Sequence, residues 1–139
     1  MLRLVLFLAL ALIVAGCGGE TGSSRKPASA SAQLTITVWP QGKSGSAHST
    51  YTLACPSGRG TLPGAHSACR KLSRLDASAF APVPTGTACT EIYGGPQIAR
   101  VTGTFADEAI DATFSRNNGC EIARWQRLDF LFRFGLEPI

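Results

Sequence analysis

Apolar and polar residues alternate over Leu34-Thr35-Ile36-Thr37-Val38-Trp39 and stop at Pro40, which predicts a strand with one buried face. After a Gly/Ser loop over Gln41 to Ala47, the alternation returns at Ser49 to Cys55, with Tyr51, Leu53 and Cys55 on one side. The two runs predict a hairpin. Beyond Pro63-Gly64 the period changes: Ala65, Ala68, Cys69, Leu72 and Leu75 recur at helical spacing. Ala77 to Thr87, with Pro82, Pro84 and Gly86, reads as irregular chain. Period-2 alternation resumes over Ile98 to Phe105 and, after a turn at Asp107, over Glu108 to Phe114. Asn117-Asn118-Gly119 marks a polar loop, and Cys120 opens a short helix carrying Ile122, Trp125 and Leu128. Phe130, Phe132 and Phe134 then alternate over Asp129 to Gly135, predicting a final, central strand. Five strands and two helices in this order predict an α+β domain, a five-stranded antiparallel sheet with both helices on one face.

One stretch fits neither period: Thr87-Ala88-Cys89-Thr90-Glu91-Ile92-Tyr93-Gly94-Gly95-Pro96. It begins at a cysteine and leaves through two glycines and a proline, so it reads as an extended loop presented at the surface. A bond from Cys89 to Cys120 would clamp it to the body of the protein. The plainer reading is an ordinary surface loop held by a disulfide.

The N-terminus changes the cysteine count. Arg3 and the apolar run Leu4 to Ala15 form a signal segment, residues 1–16, too short to span a bilayer that requires roughly 20 apolar residues. The run closes on Val14-Ala15-Gly16-Cys17, which resembles a lipoprotein processing site in which the thiol of Cys17 takes a lipid. Alternative cleavage after Ala28-Ser29-Ala30 or Ala30-Ser31-Ala32 lies more than ten residues beyond the apolar run. Residues 17–32, rich in Gly, Ser and Ala, then read as a lipidated N-terminus and flexible tether, with a folded domain over 33–139. The expected location is the outer face of a bacterial cell membrane, held through lipidated Cys17, or otherwise secreted. Cys55, Cys69, Cys89 and Cys120 remain, an even set that predicts two disulfides, with three connectivities open. The sequential pattern closes the shortest loops, and each such bridge would contribute about 3–4 kcal/mol by constraining the unfolded chain.

Charge and chemistry narrow the function by exclusion. The formal net charge of +4, about +3 without Arg3, is too small and scattered to point to nucleic acid. Arg70, Lys71 and Arg74 read as a solvated helix face. No C-x-x-C or paired His–Cys spacing suggests a metal, and no cofactor motif occurs. His48 in a loop and His66 on a helix read as surface residues, and Asp107, Glu108 and Asp111 as a solvated turn. A binding module or inhibitor fits better than an enzyme.

Taken in order, Tyr51-Thr52-Leu53-x-Cys55-Pro56, Gly64-x-x-Ser67-Ala68-Cys69, Cys89-x-x-x-Tyr93, Cys120-Glu121 and a Phe-rich end resemble the Streptomyces subtilisin inhibitor family. The resemblance spans Leu34 to Phe134. It implies the sequential disulfides Cys55–Cys69 and Cys89–Cys120 and a dimer packed through the sheet. It also implies inhibition of an extracellular serine protease by a substrate-like loop. The reactive bond would be Glu91–Ile92, with Ala88, Cys89 and Thr90 on its acyl side and Tyr93 and Gly94 on its leaving side. The chain departs from the family in Thr90 where Pro is frequent, in a longer Gly94-Gly95-Pro96 exit, in the acidic Glu91 and in the lipid anchor. The other function class compatible with the sequence is a non-inhibitory cell-envelope binding or adhesion domain on the same scaffold.

Overall fold

A computed structural model of the protein describes residues 31–136; the signal segment, Cys17 and most of the tether lie outside the described residues. Strands β1 (Ala32–Trp39), β2 (Ser49–Cys55) and β3 (Arg59–Gly60) are followed by helix α1 (Ala65–Leu72) and a 3-10 turn, Ala77–Phe80. Strands β4 (Ile98–Phe105) and β5 (Glu108–Phe114) precede helix α2 (Gly119–Phe132), which ends in a second 3-10 turn, Arg133–Gly135. The sheet is antiparallel in the order β3-β2-β1-β4-β5, with β1 at its centre.

The alternation in sequence becomes two chemically distinct faces, because successive strand residues point to opposite sides. Leu34, Ile36, Val38, Leu53, Ala99, Val101, Phe105, Ile110, Ala112 and Phe114 are all buried on one face beneath the helices. The other face carries threonines in facing pairs, Thr35 against Thr52 and Thr102, and Thr37 against Thr50. It also carries the Arg100–Asp111 ion pair at 2.8 Å. The first bridge, Cys55–Cys69, joins the end of β2 to α1, with both sulfur-bearing residues buried in the core. Helix α1 is shorter than the run to Leu75 suggests, because Asp76 starts a new turn by accepting the Ser78 N–H at 2.9 Å.

The segment Asp129–Gly135 is not a strand. Helix α2 continues through Phe132, and the fifth strand of the sheet is instead the two-residue β3. Trp125, Leu128 and Leu131 follow the helical period against the sheet, with Phe132 packed on Phe114 and Trp125 at ring distances of 5.2 and 4.7 Å. Phe130 faces the other way, toward α1, under the Lys71 ammonium at 5.2 Å. The helix end is therefore wedged between sheet and α1, with only a narrow side, marked by the half-exposed Asp129–Arg133 pair, left to water. A short run of apolar residues buried on different sides holds a period-2 subset by accident. The chain leaves α2 across β2, where the Tyr51 hydroxyl donates to the Phe134 carbonyl at 2.9 Å.

Candidate functional site

Between the 3-10 turn ending at Phe80 and β4 beginning at Ile98 the chain has no regular secondary structure. Pro82 and Pro84 withhold the N–H groups that a helix or ladder would need. The chain turns once at Pro84, whose carbonyl accepts from both the Thr87 N–H at 3.2 Å and the Thr87 hydroxyl at 2.7 Å. From there it runs to Pro96 without a strand partner, so its shape depends on what lies beside it.

What lies beside it is the connection from β5 to α2, Ser115 to Cys120. Three links join the two segments. Cys89 is bonded to Cys120 with a Cα–Cα distance of 5.4 Å. The Gly119 N–H donates to the Thr90 carbonyl at 2.9 Å, and the Gly94 N–H donates to the Arg116 carbonyl at 2.7 Å. The second and third links bracket Glu91, Ile92 and Tyr93. All three of these residues are exposed, Ile92 to 61% and Tyr93 to 67%, and these two are the large hydrophobic side chains left exposed among the described residues. Ile92 and Tyr93 thus form an adjacent apolar pair displayed at the tip of the anchored loop.

The contact is close enough to dictate residue types. A Cβ on Gly119 would stand 2.1 Å from the Thr90 hydroxyl oxygen, so the helix start approaches the loop only because residue 119 has no side chain. Gly95 turns the exit at φ +129°, a conformation that L side chains rarely adopt, and its neighbour Gln97 accepts from the Arg116 guanidinium at 3.2 Å. Asn118 caps α2 by accepting the Glu121 N–H at 2.9 Å, which fixes the helix start and with it Gly119 and Cys120.

The loop's root is held by Arg124. Its guanidinium donates to the Ala81 carbonyl at 2.8 Å, to Phe80 and Thr113 carbonyls at 3.3 Å each, and to Glu121 at 2.7 Å. It also lies over the Phe114 ring at 4.5 Å. One side chain thus ties the start of the loop segment to α2 and to β5. Arg124, Arg116, Gln97 and Gly119 were not legible as site residues. Cys120, as a possible partner of Cys89, is the feature by which the sequence tied the loop to this region, and the Asn118-x-x-Glu121 spacing is a helix-start signal that could have fixed where the helix begins.

The sequence-predicted loop residues Ala88, Cys89, Thr90, Glu91, Ile92, Tyr93 and Gly94 therefore lie together on one anchored segment. Both Glu91 oxygens are free of salt bridges among the described residues. The remaining candidates for chemistry are dispersed. His48 sits beside Trp39 at 5.9 Å, and His66 is exposed on α1. Asp107 forms the β4–β5 turn, while Asp111 is committed to Arg100, whose hydrogen bond holds its carboxyl below the usual carboxylate range. Among the described residues no three His, Cys, Asp or Glu side chains converge as a metal site, and no helix is long and apolar enough to cross a membrane. Compared with known proteins, the chain matches no protein-family model and no curated protein.

Proposed function

We propose that the protein inhibits serine endopeptidases by offering Glu91–Ile92 as a substrate-like bond on a loop too constrained to be processed quickly. The observation that carries this reading is the bracket around residues 91–93: two backbone hydrogen bonds and a disulfide hold the chain on both sides of an exposed tip. A protease cleft binds extended chain, and most short peptides lose affinity to the entropy of adopting that shape. Anchoring at Thr90 and Gly94 removes much of that cost before binding. After attack at Glu91–Ile92, the same anchors would keep the new ends together and favour resealing over release. The choice of Glu91–Ile92 as the reactive bond comes from the resemblance to subtilisin inhibitors, and both residues fall within the bracket. In this reading the protein is not an enzyme and needs no cofactor.

Glu91 selects the target. A carboxylate entering an apolar specificity pocket unpaired costs several kcal/mol, about 2–7 by transfer measurements of polar groups and more for a full charge. A pocket with a basic or hydrogen-bonding floor removes that penalty, so glutamyl-preferring proteases are the favoured class, and subtilisin-type enzymes with open pockets are second. Inhibition constants for the wild type and Glu91→Met against one protease of each class test this. The substitution is expected to tighten inhibition of the subtilisin type by at least about tenfold, about 1.4 kcal/mol, and to weaken that of the glutamyl type. No effect of residue 91 on any protease would return the domain to the envelope-binding class.

Export and anchoring through Cys17 complete the proposal. The two disulfides favour an oxidising compartment. Cys17→Ala should shift the protein from the membrane to the soluble fraction or block its processing. An unlabelled Cys17 in metabolic lipid labelling, with soluble wild type, would remove the anchor from the account. The threonine-lined face of the sheet is the surface on which the homodimer implied by the resemblance would form.

A further inference from the structure

At the end of β5 away from the loop, the open edge of the sheet borders a groove of about 530 Å³. Strand β5 is an edge strand, and its backbone pattern can be worked out from the turn that begins it. Ala106 and Asp107, at φ 50° and 66°, form a two-residue hairpin turn closed by the facing pair Phe105 and Glu108. A turn of this kind requires its closing pair to exchange both backbone hydrogen bonds, and such pairs then recur at every second residue. Glu108, Ile110, Ala112 and Phe114 therefore bond inward to β4, while Ala109, Asp111 and Thr113 turn their N–H and C=O groups outward. The Thr113 carbonyl obeys this pattern, since it accepts from Arg124 on the outer side. The outward groups of Ala109 and Asp111 take part in no hydrogen bond among the described residues outside the β4–β5 ladder, and they open onto the groove.

The groove's other wall is the 3-10 turn Ala77–Phe80 with the preceding Asp76. Its floor is apolar, made by Phe80, Ile110 and Ala112, and a carboxylate stands in each wall: Asp76 in one and Glu108 in the other. Asp111 is neutralised by Arg100, but Glu108 has no ion-pair partner among the described residues, and Asp76 spends one oxygen on Ser78. An unpaired strand edge, an apolar floor and acidic walls together define what fits: main chain in an extended conformation, a small apolar side chain facing inward, and basic side chains flanking it.

We propose that this groove binds a basic peptide segment of a protein partner by strand addition to β5. The main chain of the segment would pair with Ala109 and Asp111, and its Lys or Arg side chains would meet Glu108 and Asp76. Main-chain pairing supplies affinity in such additions, and the side-chain positions supply selectivity. The groove borders the root of the loop at Phe80 and Ala81, but the anchors of the tip, at Thr90 and Gly94, lie beyond the opposite end of β5.

Ala109→Pro tests the main-chain part cleanly. It deletes an outward N–H while leaving the β4 ladder intact, a position where an edge strand tolerates proline. Glu108→Lys, an exposed change, tests the charge part and cannot unfold the protein through its core. The probe is a fluorescein-labelled Lys-Thr-Val-Thr-Lys peptide, titrated by anisotropy against the full chain, with Glu-Thr-Val-Thr-Glu as its charge-reversed counterpart. The lysine peptide is expected to bind with a Kd of about 100 µM or tighter and to slow amide exchange at Ala109 and Asp111. Each variant should weaken it at least about tenfold, and Glu91→Met should leave it unchanged. No saturable binding by about 1 mM, equal binding of the glutamate peptide, or indifference to Ala109→Pro overturns the proposal. A dimer abolished by Ala109→Pro would assign the edge to a second copy, and binding seen only after deletion of residues 18–30 would assign it to the chain's own basic stretch. Either result also overturns it.

Discussion

The two disulfides are the same covalent device set in opposite surroundings. Cys55–Cys69 sits in the core, 5% and 7% exposed, and joins two elements that already pack together. Cys89–Cys120 lies at the surface and joins an irregular loop to the start of a helix. Chain entropy barely separates them: sequence separations of 14 and 31 residues correspond to about 3 and about 3.7 kcal/mol. Surroundings do separate them. Losing the core bridge also disturbs close packing around Leu53, Ala68 and Leu72, whereas losing the outer bridge frees a loop whose neighbours are mostly water. One bridge serves the fold, and the other serves the shape of the tip at Glu91-Ile92-Tyr93.

The largest effect should come from exchanging the two losses. Cys89→Ser with Cys120→Ser is expected to weaken protease inhibition about a hundredfold or more, because two backbone hydrogen bonds alone must then hold the tip. Its unfolding midpoint should fall, yet the domain should stay folded. Cys55→Ala with Cys69→Ala is expected to cost about 3–5 kcal/mol in denaturant unfolding while inhibition by the folded fraction changes only a few-fold. Equal losses of inhibition in the two double variants would erase the distinction. Next in size is Arg124→Met, which strands the Glu121 carboxylate and the Phe80 and Ala81 carbonyls in a region where the ion pair is only 13% and 19% exposed. A cost of about 2–3 kcal/mol is expected in urea unfolding, less than for a fully buried pair. A change below about 0.5 kcal/mol would show that the loop's root is held by packing alone.

These partners also show where legibility stopped. Strands β1, β2, β4 and β5 were readable because each has one dry and one wet face, and alternation records that difference directly. Helix α1 was readable because Ala68, Cys69 and Leu72 are buried and His66 and Arg70 face water. The end of α2 was not, because Phe130, Leu131 and Phe132 are consecutive and buried on different sides, and Asp129 and Arg133 leave only a narrow polar side to set the period. Cys89 and Gly94-Gly95-Pro96 announced the loop through residues with special chemistry. Arg116 gave no such sign, because it holds the loop through its carbonyl, an atom common to every sequence, and Gly119 read only as part of a polar loop, its close approach to Thr90 arising only on folding. Arg124 was hidden for a related reason, since three of its partners are main-chain carbonyls brought together only by folding.

Smaller effects sharpen the picture of the tip. Gly119→Ala pushes a methyl group against the Thr90 hydroxyl, and rotation of that side chain relieves part of the clash. Inhibition is expected to weaken about tenfold with little change in melting temperature, and adding Thr90→Ala should restore most of it. Failure of the second change to rescue the first would mean that the helix start does not position the loop. Smallest is the Arg100–Asp111 pair on the far face of the sheet. Its hydrogen bond to Arg100 depresses the Asp111 carboxyl, so the stability it adds is present above the ordinary carboxylate pKa and is lost as pH falls through the folded value. Asp111→Asn should flatten the acid side of the stability profile slightly and leave inhibition unchanged at pH 7. A loss of inhibition there would connect the sheet's open face to the loop.

The most direct test of the anchored tip follows the Glu91–Ile92 bond itself. The intact protein is incubated with a catalytic amount of a glutamyl-specific serine protease, and the intact and nicked forms are quantified by mass over time. Tight inhibition, a single slow nick between Glu91 and Ile92, and an approach to the same intact-to-nicked ratio from either starting form are the predicted results. Rapid, complete cleavage at that bond, or no interaction with the protease at all, would contradict the claim that the anchors around residues 91–93 make the loop an inhibitor.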